Sequence, residues 1–135
     1  MTDAAPSPKT YIRKAERALV GASILLKTGD ADGACNRAYY AMFDAAHAAL
    51  FSLRAEDIAA PIKTHNGLVA KFGQHVVLTG HLADAHGEAL NKVQRFRQLA
   101  DYSGDSVSLS DAEWAVEQAE AFVVAIRGMM ARLKP

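Results

Sequence analysis

The sequence predicts an all-α protein, an up-and-down bundle of four to five helices, and three observations support this prediction. Signals for β-strands are almost absent, because runs of β-branched residues are short. Apolar residues instead recur at spacings of three and four, the period of a helix that is buried on one face. The connections between the periodic segments are short, which favours antiparallel packing of neighbouring helices.

Capping and stop residues divide the chain into five predicted helices. Gly29 supplies a stop for the first helix, and Asp30 and Thr64 are placed to cap the second and the third. Ser110 and Glu113 have the spacing of a capping box at the start of the fifth helix. The first four helices are predicted over residues 11–27, 31–53, 65–78 and 82–102.

The chain of 135 residues is predicted to form one domain, because half of its residues are apolar and its length suits a single core. Residues 1–10 contain no apolar run, so we expect no secretory signal there. These residues are predicted to form a flexible arm, and residues 11–135 a single helical domain.

Charge and cysteine content limit the classes of function. Fifteen Lys and Arg residues balance fifteen Asp and Glu residues, which argues against strong nonspecific binding of nucleic acid but leaves room for a local basic groove. A single cysteine, Cys35, excludes a disulfide within the chain and suits a reducing cytosol. Because no segment approaches the roughly 20 apolar residues of a membrane span, we expect a cytoplasmic protein.

Polar and aromatic residues follow the second predicted helix on a face separate from its apolar stripe, at spacings of four and three. Tyr39 borders the stripe and is predicted to lie in the core, whereas Arg37 borders the polar face. This face is either the solvated edge of a bundle helix or a contact with a partner subunit, and its large aromatic side chains favour the partner. Its members are Asn36, Tyr40, Asp44, His47 and Phe51.

Three cations are predicted to lie close together near the end of the fourth helix, namely Lys92, Arg95 and Arg97. Cations at this end of a helix are favoured by the helix dipole alone. Arg97 is also placed four residues before Asp101, the spacing of an ion pair. Next to Tyr102, the same cations are suited to hold an anion or a nucleotide.

Metal and cofactor chemistry is not expected. Four of the five histidines lie in or near the third helix, but no two of them have the spacing that places two metal ligands on one helix face. The sequence contains no phosphate-binding loop, dinucleotide fingerprint or nucleophile elbow. His65 is predicted to cap or anchor the start of the third helix.

Three segments, RAYYAMF at residues 37–43, KTH at 63–65 and RQLADY at 97–102, make the sequence resemble the HEPN domain family, in particular its small stand-alone prokaryotic branch. They occur in order, with the expected helices between them, and the resemblance extends from about residue 10 to about residue 130. It implies a four- to five-helix bundle that forms a homodimer along the helices carrying these segments. It also implies association with nucleotides or RNA, and a partner of the minimal nucleotidyltransferase type in a toxin–antitoxin pair.

Many members of this family are metal-independent ribonucleases whose signature is an Arg followed, after four to six residues, by a His. The Arg holds the phosphate and the His transfers protons. Here Arg97 is followed after four residues by Tyr102, and the chain has no His beyond residue 86. A tyrosine, with a pKa of roughly 10, is a poor general base at neutral pH, so the prediction leans away from an enzyme.

In some relatives a tyrosine close to this signature is modified with AMP by the partner nucleotidyltransferase, which implies that Tyr102 is a modification site.

The first hypothesis is therefore a dimeric toxin–antitoxin component that acts with such a partner and with RNA or ATP. One alternative is a metal-independent endoribonuclease in which Tyr102 replaces the usual His, and another is a helical adaptor without a nucleotide ligand. The predicted site comprises Arg97 and Tyr102 as reacting residues, and Arg37, Tyr40, Asp44, His47, Lys92, Arg95 and Asp101 as nucleotide-binding or RNA-binding residues.

Overall fold

The computed structural model describes residues 7–53, 62–102 and 104–133, apart from the side chain of Tyr102. These ranges contain five α-helices and no strand, which confirms the all-α prediction. A single turn of π-helix, Gly73–Val77, extends the third helix. No helix within these ranges is long and apolar enough to cross a membrane. The helices are α1 Pro8–Lys27, α2 Ala31–Ser52, α3 His65–Phe72, α4 Asp84–Tyr102 and α5 Leu109–Leu133.

The first helix begins three residues earlier than predicted, so residues 8–10 belong to α1 and not to an arm. Ser7 caps this helix by accepting a hydrogen bond from the backbone N–H of Thr10 at 3.2 Å. Pro8 follows at the first helical position, where its missing N–H costs nothing. The Ser-Pro pair is therefore a helix start.

Two of the predicted caps are confirmed and one is wrong. Asp30 accepts from the backbone N–H of Gly33 at 2.8 Å, and Thr64 accepts from the backbone N–H of Gly67 at 3.1 Å. At α5, Ser108 accepts from the backbone N–H of Asp111 at 3.0 Å. The fifth helix therefore starts two residues before the predicted capping box.

The central element of the bundle is α2, which contacts each of the other four helices. Small side chains let its neighbours approach closely on several sides. Within the described ranges α1 contacts α2 and α5 but neither α3 nor α4, so α2 separates α1 from these two helices. The fully buried alanines of α2 are Ala34, Ala38, Ala41, Ala45, Ala46, Ala48 and Ala49.

Candidate functional site

The segments RAYYAMF, KTH and RQLADY meet where α2, α3 and α4 come together. The hydroxyl of Tyr39 on α2 is 2.7 Å from Nδ1 of His65, the first residue of α3. The guanidinium carbon of Arg97 on α4 lies 4.9 Å from the centre of the Tyr39 ring. Nη1 of Arg97 donates to Oδ2 of Asp101 at 2.9 Å. We call Tyr39, His65, Arg97 and Asp101 the junction cluster.

Local interactions hold the junction cluster in place. Because Thr64 caps α3, the chain turns into a helix directly at His65. Beside this turn, the side-chain amide of Gln94 on α4 donates to Oδ1 of Asn66 at 3.3 Å, and Gln94 is almost fully buried. This hydrogen bond joins the start of α3 to α4 one turn before Arg97, so His65 and Arg97 are fixed on the same side of α2.

Arg97 carries a buried positive charge, since only 3% of its surface is exposed. A guanidinium stays protonated in such a position, and it packs flat on an aromatic ring. The pairing with Asp101 predicted from the sequence is present, and Asp101 is one-third exposed, so the pair reaches the surface. The buried guanidinium of Arg97 is therefore linked to the surface of the bundle by its ion pair with the carboxylate of Asp101.

Burial changes the acid–base properties of two members of the cluster. It raises the pKa of the Tyr39 hydroxyl above its ordinary value, although Arg97 opposes this change. Burial and the nearby charge of Arg97 both lower the pKa of the His65 imidazole. At neutral pH the phenol is therefore protonated and the imidazole is neutral. The roles in this hydrogen bond depend on the tautomer of His65. Where the Tyr39 hydroxyl donates to Nδ1, Nε2 carries the proton, and where Nδ1–H donates to the hydroxyl oxygen, Nε2 is a proton acceptor.

His47 does not belong to the polar face on which the sequence placed it. Its side chain is only 1% exposed and stacks on the Tyr11 ring, with the two ring centres 5.0 Å apart. Nε2 accepts a hydrogen bond from the backbone N–H of Ile62 at 3.0 Å, so Nδ1 is the donor to the carbonyl oxygen of Phe43 at 3.2 Å. Burial lowers its pKa. Both nitrogens are thus bonded within the chain, and His47 is a core residue.

The three cations of α4 do not form the close group predicted from the sequence. A helix turns by about 100° per residue, so Arg95 and Arg97 point to nearly opposite sides. Arg97 contacts Tyr39, whereas Nζ of Lys92 lies 4.6 Å from the centre of the Trp114 ring on α5. Arg95 is exposed. Only Arg97 belongs to the junction cluster.

The remaining residues of the predicted α2 site have different neighbours. Tyr40 is half-buried, and its ring packs edge-on against Tyr39 and against His65. Arg37 is exposed and passes beside Gly21 of α1. Asp44 is half-buried, and burial raises the pKa of its carboxyl. Tyr40 therefore borders the junction cluster, whereas no contact of Arg37 or Asp44 with the cluster is seen among the described residues.

The proposed reacting residue Tyr102 is the last residue of α4, and its side chain lies outside the described part of the chain. The loop that follows is fixed at its far end, because Oδ1 of Asp32 accepts from the backbone N–H of Val107 at 2.7 Å. This bond joins the residues before α5 to the start of α2. In the described ranges, no three His, Cys, Asp or Glu side chains are grouped as metal ligands.

The predicted site does not include Tyr39 and His65, two members of the cluster. The sequence predicts Tyr39 in the core, where it does lie, and His65 at the start of α3. The signal for both was present, because each belongs to one of the three segments on which the family resemblance rests. The sequence does not show that Tyr39 and His65 are in contact. They are 26 positions apart, and the packing of α3 on α2 brings them together.

Comparison with known proteins identifies the family to which this chain belongs. The model of the HEPN domain family matches residues 8–129. A UPF0332 protein of Gloeobacter violaceus is 32% identical over 120 residues, which cover 87% of this chain and 91% of the relative. A UPF0332 protein of Thermotoga maritima is 30% identical over 125 residues, 90% of this chain and 89% of the relative.

A further relative from Methanocaldococcus jannaschii bears the name "Putative toxin MJ0605". It is 33% identical over 119 residues, which cover 88% of this chain and 85% of the relative. The family match and the matches to these relatives extend over the helices that build the junction cluster. This chain belongs to the HEPN domain family.

Proposed function

We propose that this protein is a toxin-type HEPN protein that acts on RNA or nucleotides at the surface where α2, α3 and α4 meet. The observation that supports this proposal is the junction cluster, in which residues from three distant segments make one series of contacts. The name of the Methanocaldococcus jannaschii relative agrees with a toxin-type role. Because the chain has no net charge, its affinity for phosphate has to come from a local site.

Arg97 is the member of the cluster that suits a phosphate. Its carboxylate partner Asp101 is one-third exposed, so a phosphate that arrives from solvent competes for the Nη1 donor. The two anionic oxygens of an RNA phosphodiester match the fork of the guanidinium as those of a carboxylate do. The cation–π contact with Tyr39 keeps the guanidinium in place during this exchange.

A second candidate function is metal-independent cleavage of RNA with His65 as the proton acceptor. The observation that favours it is that His65 and Arg97 contact the same side chain, Tyr39, one at its hydroxyl and the other at its ring face. In this reaction a ribose 2′-hydroxyl gives its proton to Nε2 of His65 and attacks the adjacent phosphorus, while Arg97 holds the phosphate oxygens. The bond from phosphorus to the 5′-oxygen breaks, and the 5′-oxygen takes a proton from water and leaves as a hydroxyl. His65 would then supply the histidine that the sequence lacks after Arg97.

The finer parts of the proposal come from the family resemblance. They are a homodimer in the cytoplasm, a minimal nucleotidyltransferase as the partner, and transfer of AMP to the hydroxyl of Tyr102. Mass spectrometry of the protein purified together with the product of a neighbouring nucleotidyltransferase gene tests the last point. An unmodified Tyr102 in the presence of the active partner and ATP would contradict it.

The main test compares the wild type with Arg97→Lys and with Arg13→Lys, a matched change on the exposed face of α1. We expect induced expression of the wild type to slow growth, and the pure protein to bind single-stranded RNA at physiological salt. Arg97→Lys should lose both properties, because lysine cannot keep the bidentate fork over Tyr39. Arg13→Lys should keep both.

The cleavage reaction is tested with end-labelled RNA in EDTA. His65→Gln should abolish cleavage while RNA binding remains, and the products of the wild type should carry 2′,3′-cyclic phosphate ends. If the wild type binds RNA but does not cleave it, the RNA-binding function stands and the ribonuclease function is wrong. If the pure wild type binds neither RNA nor ATP, the protein is a helical adaptor and the proposal is wrong.

A further inference from the structure

A cavity of about 680 Å³ lies at the end of the bundle where α1 begins and where α2 and α5 end. Its volume is within the roughly 300–1,000 Å³ of sites that bind small molecules. Among the described residues, no member of the junction cluster lines this cavity, and the proposed function makes no use of it. The cavity is therefore a candidate for a second, separate binding site.

Apolar side chains from three helices line the cavity. They include Ile12 of α1, Phe51 of α2 and Met130 of α5. Leu133, at the end of α5, also lines it and is 40% exposed. These four side chains offer no hydrogen-bonding group, so a ligand is held against them only by the burial of its own apolar surface.

Positive charge is in excess around the same cavity. Lys9 and Arg13 are one turn apart on α1, and Arg127 lines the cavity from α5. Among the described lining residues Glu16 is the single carboxylate, and it accepts a hydrogen bond from Nη1 of Arg127 at 3.0 Å. Lys9 and Arg13 are exposed, and neither forms an ion pair with another described residue. The cavity thus combines an apolar wall with a cationic edge.

The shape of the cavity favours an extended chain over a helix. The helices α1 and α5 are in contact, and the Glu16–Arg127 pair bridges them at one end of the cavity. A partner helix with its side chains is about 10 to 12 Å wide, which is too wide to enter between two helices in contact. The lining residues of α1, from Ser7 to Glu16, extend over about 13 Å. An unbranched alkyl chain of medium length matches these dimensions.

We propose that this cavity binds a free fatty acid of medium chain length. The alkyl chain packs against the apolar wall that Ile12, Phe51 and Met130 form, and the carboxylate faces Lys9 and Arg13. A nucleotide fits less well, because the apolar side chains offer no partner to the polar edges of a base. The fatty-acid site is independent of the proposed function, since its binding is measured in the absence of RNA.

Isothermal titration of the full chain with sodium decanoate and sodium dodecanoate, both below their micelle concentrations, tests this site. We expect one carboxylate to bind per chain. Dodecanoate should bind about fivefold to fifteenfold more tightly than decanoate, because two more methylene groups are buried. Decanol has the same alkyl chain as decanoate without its charge, and it should bind about tenfold more weakly than decanoate.

Variants separate the charge of the cavity from the charge of α1 as a whole. Lys9→Gln with Arg13→Gln should weaken dodecanoate binding about tenfold, because two charged donors to the carboxylate are lost. The matched control is Arg17→Gln with Lys27→Gln, which removes two exposed cations of α1 outside the cavity and should bind as the wild type does.

A third variant, Glu16→Gln, should bind dodecanoate about threefold more tightly, because it removes a repelling carboxylate and releases Arg127. A misfolded variant cannot produce this gain, and circular dichroism checks that all variants are folded. No saturable binding of dodecanoate, equal affinity for decanol and decanoate, or an equal loss in both double variants would each overturn the proposal. Weaker binding by Glu16→Gln, or binding only to phosphatidylglycerol vesicles, would also overturn it.

Binding of single-stranded RNA distinguishes a fatty-acid site from an RNA site. The Lys9→Gln with Arg13→Gln variant should bind RNA as the wild type does, because neither cation belongs to the junction cluster. If this variant loses RNA binding, the cations of the cavity serve RNA and the fatty-acid site is wrong. Failure of the wild type to bind RNA contradicts the proposed function alone, since the titration with dodecanoate contains no RNA.

Discussion

The guanidinium carbon of Arg97 lies 4.9 Å from the centre of the Tyr39 ring, and the hydroxyl of the same ring is 2.7 Å from Nδ1 of His65. One buried tyrosine thus connects a cation on α4 with an imidazole on α3. The ring face and the hydroxyl are different parts of this side chain, so substitutions can remove one contact and keep the other.

Removal of the Tyr39 hydroxyl isolates the bond to His65. We expect Tyr39→Phe to lower the free energy of unfolding by about 1 kcal/mol, the net contribution of one hydrogen bond, while the ring under Arg97 is kept. Urea titration measures this change. Tyr40→Phe is the control, because its hydroxyl makes no hydrogen bond to another described residue, and an equal loss in both variants would contradict the assigned role of the bond.

Truncation of Arg97 removes a buried cation together with its packing on Tyr39. We expect Arg97→Ala to cost about 3 kcal/mol of stability, since it leaves a cavity and removes the partner of Asp101. Asp101→Asn should cost less, about 1 kcal/mol, because Asp101 is one-third exposed. Arg95→Ala, an exposed position on the same helix, should change stability by less than about 0.5 kcal/mol. Thermal unfolding ranks the three variants.

Two histidines make stability depend on pH. Burial lowers the pKa of His47 below its ordinary 6.5, and burial with Arg97 does the same for His65. In the range between the lowered pKa and 6.5 the unfolded chain binds protons that the native protein does not bind. Stability should therefore be constant above about pH 7 and fall as the pH decreases below the unfolded pKa.

Urea titrations between pH 8 and pH 6 check this slope. We expect His47→Gln and His65→Gln each to flatten the curve, and His81→Gln serves as a control for the loss of one histidine. A slope of the opposite sign in the wild type, or variants with an unchanged slope, would show that these two imidazoles are not the groups that titrate.

The bond from Asp32 to the backbone of Val107 holds the loop that follows Tyr102. We expect Asp32→Ala to increase hydrogen exchange at residues 104–108 and to cost about 1 to 2 kcal/mol, because the N–H of a buried residue loses its acceptor. Exchange measured by mass spectrometry should stay unchanged over α3. Glu113→Ala, an exposed carboxylate on α5, is the control that should leave the loop as protected as in the wild type.

Most of the helical architecture was predictable from the sequence, because it depends on local signals. The periodicity of apolar residues and the caps Asp30 and Thr64 locate α2 and α3 to within a residue or two at most ends. The start of α1 was missed because the Ser7–Pro8 pair lies in a polar segment without apolar periodicity. The π-helix turn Gly73–Val77 has no sequence signal of its own and was included in a longer third helix.

The candidate site was less predictable because it depends on how the helices pack. The spacing along α2 predicts His47 on an outer face, because a helical wheel assumes one buried stripe, whereas α2 is buried on several sides. Lys92, Arg95 and Arg97 are near neighbours in sequence, but Lys92 contacts α5, Arg97 contacts α2 and Arg95 is exposed. The contact between His65 and Tyr39 depends on where α3 packs against α2. The spacing of residues within one helix does not predict this packing.

The alanines of α2 restrict where this protein is able to change. At a position such as Ala38 or Ala45, with no exposed surface, any larger side chain pushes a neighbouring helix away. Substitutions that create a contact with a new partner are therefore confined to the exposed positions of the outer helices. In a library of all single substitutions, α2 should tolerate the fewest changes and these exposed positions the most, so that relatives with a common interior acquire different partners.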